Sequence, residues 1–123
     1  MSVPPGTLTD TWRNQVLDFY GRLFGWRELD ALRLPDRLTI SVGSSYINIR
    51  ERADAPTYNG YEHFGVALDS AEAARAVWTE ANNSEVGVTL DPLPETTDGF
   101  ISYRLRYLLP LSVEVQYFPT PDQ

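Results

Sequence analysis

One histidine and one glutamate are the clearest candidates in this chain for catalysis or metal binding. His63 is the only histidine, so any imidazole chemistry, as a general base or as a metal ligand, must use that residue. Glu114 stands between Val113 and Val115, and a strand that buries its valines directs the glutamate to the other face. A carboxylate in a cleft needs a partner, hydration or a raised pKa. If the two residues are close, they could form an acid–base pair or bind a metal ion together.

Both residues also allow purely structural roles. His63 could be a half-buried histidine that bonds a tyrosine or a glutamate. Glu114 could be neutralised in an ion pair by Arg50, Arg104 or Arg106. Both interpretations stay open at this point.

Whether two further arginines face a ligand pocket or the solvent depends on the strand register. Arg104 and Arg106 fall on one face of a predicted strand with Ser102, while Tyr103 and Leu105 fall on the other face. An inward-facing arginine pair suits a carboxylate, phosphate or enolate ligand. The alternative is a solvated outer edge of the sheet, and the register decides between the two.

Several aromatic side chains could stack on a flat ligand, although packing in the core or at its rim is the more frequent role of such residues. They are Trp26, Tyr46, Tyr61, Tyr103 and Tyr107.

Composition excludes several classes of protein. A net charge of -7 disfavours nucleic acid and anionic membrane surfaces as partners. The chain has no cysteine, which excludes disulfides, thiolate catalysis and iron–sulfur clusters. It also lacks a secretory leader pattern and an apolar run of about 18 residues, so we expect a cytoplasmic protein.

The first half predicts one helix followed by strands. Apolar residues recur at helical spacing from Thr9 or Asp10 to Phe24, and Gly25 suits a left-handed helix end. An extended stretch around Trp26 to Leu32 comes next. The alternating runs Leu38–Val42 and Tyr46–Arg50 then predict two strands joined by a turn. If the aliphatic residues of these runs pack on the helix, a polar face lies opposite. Its members are Thr39, Ser41, Tyr46, Asn48 and Arg50.

The second half repeats this order. A strand from Tyr61 to Leu68 leads into a helix from Ala71 to about Asn82, which Ser70 can cap. Three extended segments follow, at Val86–Leu90, Phe100–Leu108 and Leu111–Phe118. The two helices are offset by about 61 residues and the two last strands by about 66, which indicates a degenerate duplication. The first half lacks a clear strand before its helix, because Pro4-Pro5-Gly6 interrupts the few residues there.

Three segments resemble the vicinal-oxygen-chelate superfamily, which includes glyoxalases, bleomycin resistance proteins and dioxygenases. Residues 17–26 (LDFYGRLFGW) resemble its first-helix signature, residues 60–69 (GYEHFGVALD) its second-module opening, and residues 111–118 (LSVEVQYF) its closing strand. The resemblance implies an α+β fold in which two βαβββ modules form a curved mixed sheet around a cleft. We expect one domain over residues 1–123, with modules at about 1–52 and 60–118.

The resemblance also implies where a metal would bind. Metal-using members take ligands from the first and last strands of each module. His63 and Glu114 match those positions in the second module, while Asn48 stands where the first module would carry glutamate. Neutral Asn is a poor ligand, so we expect a divalent metal ion to be held weakly, if at all.

Two functions follow as expectations. The first is a small-molecule binding protein without a complete metal site, whose ligand contacts the polar sheet faces. The predicted contacts are Thr39, Tyr46, Asn48, Arg50, Tyr61, Arg104, Arg106 and Gln116. The alternative is a metal-dependent lyase, isomerase or dioxygenase that uses His63 and Glu114. The resemblance and the open sheet edge left by the short N-terminus favour a homodimer.

Overall fold

The computed structural model of the chain describes residues 1–58, 62–94 and 99–119. These residues divide into two compact units. The first contains residues 1–58 and 108–110, and the second contains residues 62–94, 99–107 and 111–119. In each unit the described residues form one helix and one four-stranded sheet in the order strand, helix, three strands. The predicted α+β fold with two βαβββ modules is therefore confirmed.

The first module consists of five regular elements. They are β1 (Ser2–Val3), α1 (Asp10–Phe24), β2 (Arg27–Glu28), β3 (Arg37–Val42) and β4 (Ser45–Glu51). The sheet order is β1-β4-β3-β2, with β1 parallel to β4 and the other pairs antiparallel.

Helix α1 has the two ends that the sequence predicts. The Thr9 side chain accepts a hydrogen bond from the Trp12 amide, and Gly25 adopts a left-handed conformation with φ of 73°. The Gly25 amide donates to the Gly21 carbonyl, which closes the last turn. The helix buries Val16 and Tyr20 completely.

A buried arginine ties α1 to the loop before β3, which no sequence pattern predicted. Arg13 is only 3% exposed. Its guanidinium donates to the carbonyls of Leu8, Leu34, Pro35 and Arg37 at distances from 2.7 to 3.2 Å. Four carbonyl acceptors compensate for the desolvation of this charge.

Strands β3 and β4 separate an apolar face from a polar one as predicted. Leu38, Ile40 and Ile49 are fully buried. The register pairs Thr39 with Asn48 and Arg37 with Arg50, so these four residues share the opposite face.

Two predictions for the first module need correction. A first strand is present, although the sequence indicated none: Ser2–Val3 pairs with Arg50 and Glu51 of β4. Two residues before the Pro-Pro-Gly run are too few to produce an alternating pattern. The extended stretch at Trp26 to Leu32 is only partly correct, since Arg27–Glu28 is a strand while Asp30–Leu32 forms a 3₁₀ turn.

The second module has the same order of elements. They are β5 (His63–Ala67), α2 (Ala71–Asn82), β6 (Thr89–Leu90), β7 (Ile101–Arg106) and β8 (Ser112–Tyr117). The sheet order is β5-β8-β7-β6, with β5 parallel to β8. The strand predicted at Val86–Leu90 is limited to its last two residues.

Helix α2 packs on the apolar face of this sheet. The Ser70 side chain caps it by accepting from the Ala73 amide, as predicted. Ala74 and Ala81 are fully buried. The buried Tyr103 hydroxyl of β7 donates to the Ala74 carbonyl at 2.6 Å, which fixes the helix on the strand. In the part of the chain that the structure describes, no helix is long and apolar enough to cross a membrane.

Candidate functional site

The polar face of the second sheet brings together half of the predicted site residues, including His63 and Glu114. Gly65 of β5 and Arg104 of β7 are the register partners of Glu114 on either side of β8. Ser102 is the partner of Gln116. Because Tyr103 and Leu105 are buried on the other side, the register assigns Ser102, Arg104 and Arg106 to the face that carries Glu114.

Glu114 lies between two short polar contacts. Its Oε2 is 2.8 Å from His63 Nε2, and its Oε1 accepts a 2.8 Å hydrogen bond from Ser102 Oγ. The histidine side chain is 35% exposed and the glutamate side chain 19% exposed. Both carboxylate oxygens are therefore engaged on a face that solvent reaches.

The ion pair between Glu114 and an arginine, which the sequence allowed, does not form among the described residues. Arg104 is the cross-strand neighbour of Glu114, but Ser102 and His63 occupy both carboxylate oxygens. The side chains of Arg104, Arg106 and Gln116 make no hydrogen bond or ion pair with any described residue. This face therefore holds a satisfied carboxylate beside donors that no described residue engages.

Gly65 lies directly beside the Gln116 side chain on this face. A Cβ atom at this position would lie 3.2 Å from Gln116 Oε1, which is closer than ordinary contacts. A side chain at this position would require Gln116 Oε1 to move by a few tenths of an ångström.

The polar face of the first sheet is built differently. Asn48 lies on the last strand of its module, as Glu114 does in the second, and its Oδ1 accepts a 2.6 Å hydrogen bond from Thr39 Oγ1. The two amide hydrogens of Asn48 remain as donors. Tyr46 and Arg50 of the same strand are exposed.

A cavity of about 490 Å³ opens on this part of the first module. It is lined by Met1, Ser2, Leu34, Asp36, Arg37, Asn48, Arg50, Glu51 and Arg52. Two of these residues, Asn48 and Arg50, were predicted ligand contacts. The others were not predicted, although extending the alternation of β3 back by one residue would have put Arg37 on the same face as Thr39.

The charged groups of this cavity differ in their partners. Arg52 forms an ion pair with Asp54, and Glu51 accepts a hydrogen bond from the Leu8 amide. Hydrogen bonds from the Leu8 and Gly6 backbone hold the pKa of Glu51 below its usual value. Burial, and then the charge of Arg50, lower the pKa of the Met1 amino group.

The aromatic candidates separate into core residues and one exposed residue. Trp26 stacks on Phe24 and Tyr20, and Tyr103 and Tyr107 are buried as well. These three candidates thus pack in the core, as the favoured interpretation had it. Tyr46 is 57% exposed and is accessible to a ligand, whereas the predicted contact Tyr61 lies outside the described residues.

Comparison with known proteins supports the fold and nothing finer. No family model matches the sequence, and no curated protein matches it either. Solved structures match at low sequence identity over nearly the whole chain. This is the pattern expected when fold is retained after sequence similarity has been lost.

Three of the similar structures illustrate the range. A glyoxalase/bleomycin resistance protein/dioxygenase family enzyme from Burkholderia phytofirmans PsJN has 17% identity and a TM-score of 0.70, with 95% of this chain and 93% of that chain covered. The fosfomycin resistance protein FosX from Listeria monocytogenes, complexed with Mn(II) and sulfate, has 16% identity and a TM-score of 0.68, covering 97% and 86%. A bleomycin resistance determinant encoded on the transposon Tn5 has 11% identity and a TM-score of 0.61, covering 97% and 95%. The chain therefore has the vicinal-oxygen-chelate fold, and the resemblance found in the sequence is confirmed at that level.

The described residues do not fit a complete divalent-metal site. No group of three or more His, Cys, Asp or Glu side chains converges within residues 1–58, 62–94 and 99–119. His63 and Glu114 supply two ligand atoms, but they already contact each other. A metal ion at this place would need water or further groups for its remaining positions.

Proposed function

We propose that this chain is a cytoplasmic small-molecule binding protein whose ligand is held on a polar sheet face. The observation that carries the proposal is the surplus of unused donors beside a satisfied carboxylate in the second module. Glu114 is engaged by His63 and Ser102, whereas the side chains of Arg104 and Arg106 make no hydrogen bond or ion pair with a described residue. Free guanidinium groups on a polar face can bind a ligand without rearrangement of the fold.

The first module supports the same proposal. Thr39 and Asn48 bond each other, which leaves the Asn48 amide hydrogens for a ligand. Tyr46 and Arg50 extend this face with an aromatic ring and a charge. Among the similar structures is a bleomycin resistance determinant encoded on the transposon Tn5, which has the same fold.

A metal-dependent lyase, isomerase or dioxygenase is the second candidate. It is favoured by the 2.8 Å contact between His63 and Glu114 on the first and last strands of one module. The FosX structure with Mn(II) also has this fold. We rank this candidate second because Asn48 replaces a carboxylate and bonds Thr39 instead.

A thermal-shift screen tests the binding proposal. The wild-type chain, freed of metal with a chelator, is screened against small polar and aromatic compounds, and each hit is titrated on the Arg104→Gln/Arg106→Gln variant. The expected result is a saturable rise in Tm for the wild type and a loss of affinity of roughly tenfold or more in the variant. An Arg75→Gln control on the exposed side of α2 should bind as the wild type does.

Metal titration separates the two candidates. Mn²⁺, Fe²⁺, Ni²⁺, Co²⁺ and Zn²⁺ are each added to the wild type, to His63→Ala and to Glu114→Ala. A saturable rise in Tm that disappears in both variants would favour the metalloenzyme over the binding protein. Hits in the compound screen without any metal response would support our first candidate.

A further inference from the structure

Two arginines oppose each other across the first sheet. Arg37 of β3 and Arg50 of β4 are direct register partners, and both line the cavity of about 490 Å³. Like charges at directly opposed positions destabilise a sheet unless something compensates them. We call the pair, with Ser2 and Asn48 beside it, the arginine pocket.

The fold compensates only one of the two charges. Arg37 donates from Nε and from one terminal nitrogen to the Leu32 carbonyl, at 3.1 and 2.8 Å. Arg50 makes no side-chain hydrogen bond or ion pair with any described residue. The neighbouring Arg52 is paired with Asp54. Arg50 is thus a guanidinium that forms no ion pair with a described residue.

Neutral donors surround the unpaired charge. Ser2 is the register partner of Arg50 on the other side of β4. Asn48 lies two residues earlier on the same face. Its oxygen accepts from Thr39, and its amide hydrogens bond no described residue. Donors from three strands therefore line one cavity.

The carboxylates of the cavity do not cancel this excess of donors. Glu51 is held by the Leu8 amide. The side chain of Asp36 makes no hydrogen bond or ion pair with a described residue, so its negative charge also acts on any ligand in the cavity. A ligand whose negative charge is concentrated at one end can meet the arginines while its uncharged part faces Asp36.

We propose that the arginine pocket binds the oxyanion end, carboxylate or phosphate, of the small molecule that this protein takes. The inference rests on the proposed function and adds to it the chemical class of the ligand. Arg37 is a specificity residue in this proposal. Its bonds to the Leu32 carbonyl fix the orientation of the guanidinium, whose remaining N–H groups can then donate to a ligand in one direction.

Binding of simple anions tests this inference. Acetate and inorganic phosphate are titrated separately at constant ionic strength, against chloride as the reference, with Tm and calorimetric heat as readouts. The variants are Arg50→Gln, which removes charge and donors, and Arg50→Lys, which keeps the charge without the planar fork. Arg75→Gln is the control, with the same change of net charge far from the pocket in sequence and on an exposed helix position.

The expected result is a saturable response of the wild type to at least one anion. Arg50→Gln should weaken it by roughly tenfold to a hundredfold, because a charge-assisted hydrogen bond is lost. Arg50→Lys should fall between, and Arg75→Gln should match the wild type. A preference for phosphate or for acetate then identifies which oxyanion the pocket suits.

Two results would overturn the inference. One is a linear, unsaturable rise in Tm that is equal in all variants, which reports only general exclusion of salts from the surface. The other is saturable binding that Arg50→Gln does not change. If the compound screen yields neutral ligands in either case, the binding function stands and only the oxyanion class fails.

Discussion

The Glu114 side chain links its own strand to the strands on both sides of it. Its two oxygens contact His63 of β5 and Ser102 of β7, which lie on opposite sides of β8. A carboxylate between two valines is tolerated on this strand because both of its oxygens have partners. Loss of either partner should therefore cost more than loss of a solvated surface contact.

A double-mutant cycle on His63→Ala and Glu114→Ala measures this contact. We expect a coupling energy of roughly 0.5 to 1 kcal/mol, since the partial exposure of both side chains screens their interaction. Urea unfolding of the wild type, the two single variants and the double variant gives the value. The cycle of His63→Ala with Gln116→Ala serves as the control, because Gln116 shares the face but its side chain makes no hydrogen bond or ion pair with a described residue. Equal coupling in both cycles would contradict the pairing.

Glu51 should make the stability of the first module depend on pH. Backbone hydrogen bonds from Leu8 and Gly6 lower its pKa from the ordinary value of 4.5. A lowered pKa means that the folded state binds this proton less tightly than the unfolded state. The stabilisation is therefore fully present above 4.5 and is lost as the pH falls through the folded-state pKa.

Urea midpoints of wild type and Glu51→Gln check this dependence. The variant should be less stable at about pH 7, and the difference should shrink steadily below about pH 4.5. Glu80→Gln, an exposed change on α2, should follow the wild type at each pH. A difference that stays constant with pH would assign the effect of Glu51→Gln to packing instead.

At the scale of elements, Arg13 couples α1 to the loop that leads into β3. Its guanidinium bonds the carbonyls of Leu34 and Pro35 in this loop and of Arg37 at the start of β3. It also lies 3.9 Å from the buried Glu28 Oε2. That oxygen has no hydrogen-bond partner among the described residues, so the arginine supplies its nearby positive charge. Because Leu34 and Arg37 line the cavity, this contact also positions one wall of the arginine pocket.

Replacing Arg13 by leucine should destabilise the fold strongly. The change leaves buried carbonyls without donors and a buried carboxylate with less compensation, a loss on the order of 3 kcal/mol. Arg22→Leu on the same helix is a matched control, since its exposed pair with Asp18 contributes less than about 0.5 kcal/mol. Chemical unfolding of the two variants provides the comparison. Equal losses would mean that the buried contacts of Arg13 contribute no more than a surface ion pair.

Helices and strands could be predicted from the sequence where an apolar pattern repeats over many residues and capping residues mark its ends. Helix α1 has a repeated apolar stripe between Thr9 and Gly25, and α2 begins after Ser70, so both could be placed from sequence. Strands β1, β2 and β6 are only two residues long and give no period to detect. Arg13 was missed because a charged residue in a helix normally indicates the solvated side.

The sequence predicted which sheet face each candidate residue lies on, but not all of the side-chain contacts that the residue makes. Two-residue alternation assigns Asn48, Arg104 and Glu114 to polar faces. It does not determine side-chain torsions, so the choice of Ser102 and His63 over an arginine as partners of Glu114 could not be made from sequence. The arginine pocket was missed because Arg37 lies at the very start of its strand, where alternation is hardest to assign.

Charge links the pocket to the whole molecule. The chain carries a net charge of -7, which repels anions at a distance. The arginine pocket concentrates two positive charges at one place on this acidic surface. A small anion can approach the pocket closely, whereas a long polyanion such as nucleic acid also meets the surrounding negative charge. The combination favours small anionic ligands over extended ones.

Assembly is the remaining property of the whole molecule, and we predict a homodimer. The edge of β4 is partly covered by β1, but β5 has only β8 as a neighbour among the described strands. Since the Leu68 amide bonds β8, alternation directs the Ala67 amide to the free edge.

Light scattering should give twice the chain mass of 13.9 kDa. Ala67→Pro should yield a folded monomer, because proline is tolerated where the amide is unbonded, whereas Leu68→Pro should damage the fold itself. A wild-type chain that stays at the monomer mass at every concentration, or an Ala67→Pro variant that still dimerises, would mean that this edge is not an interface.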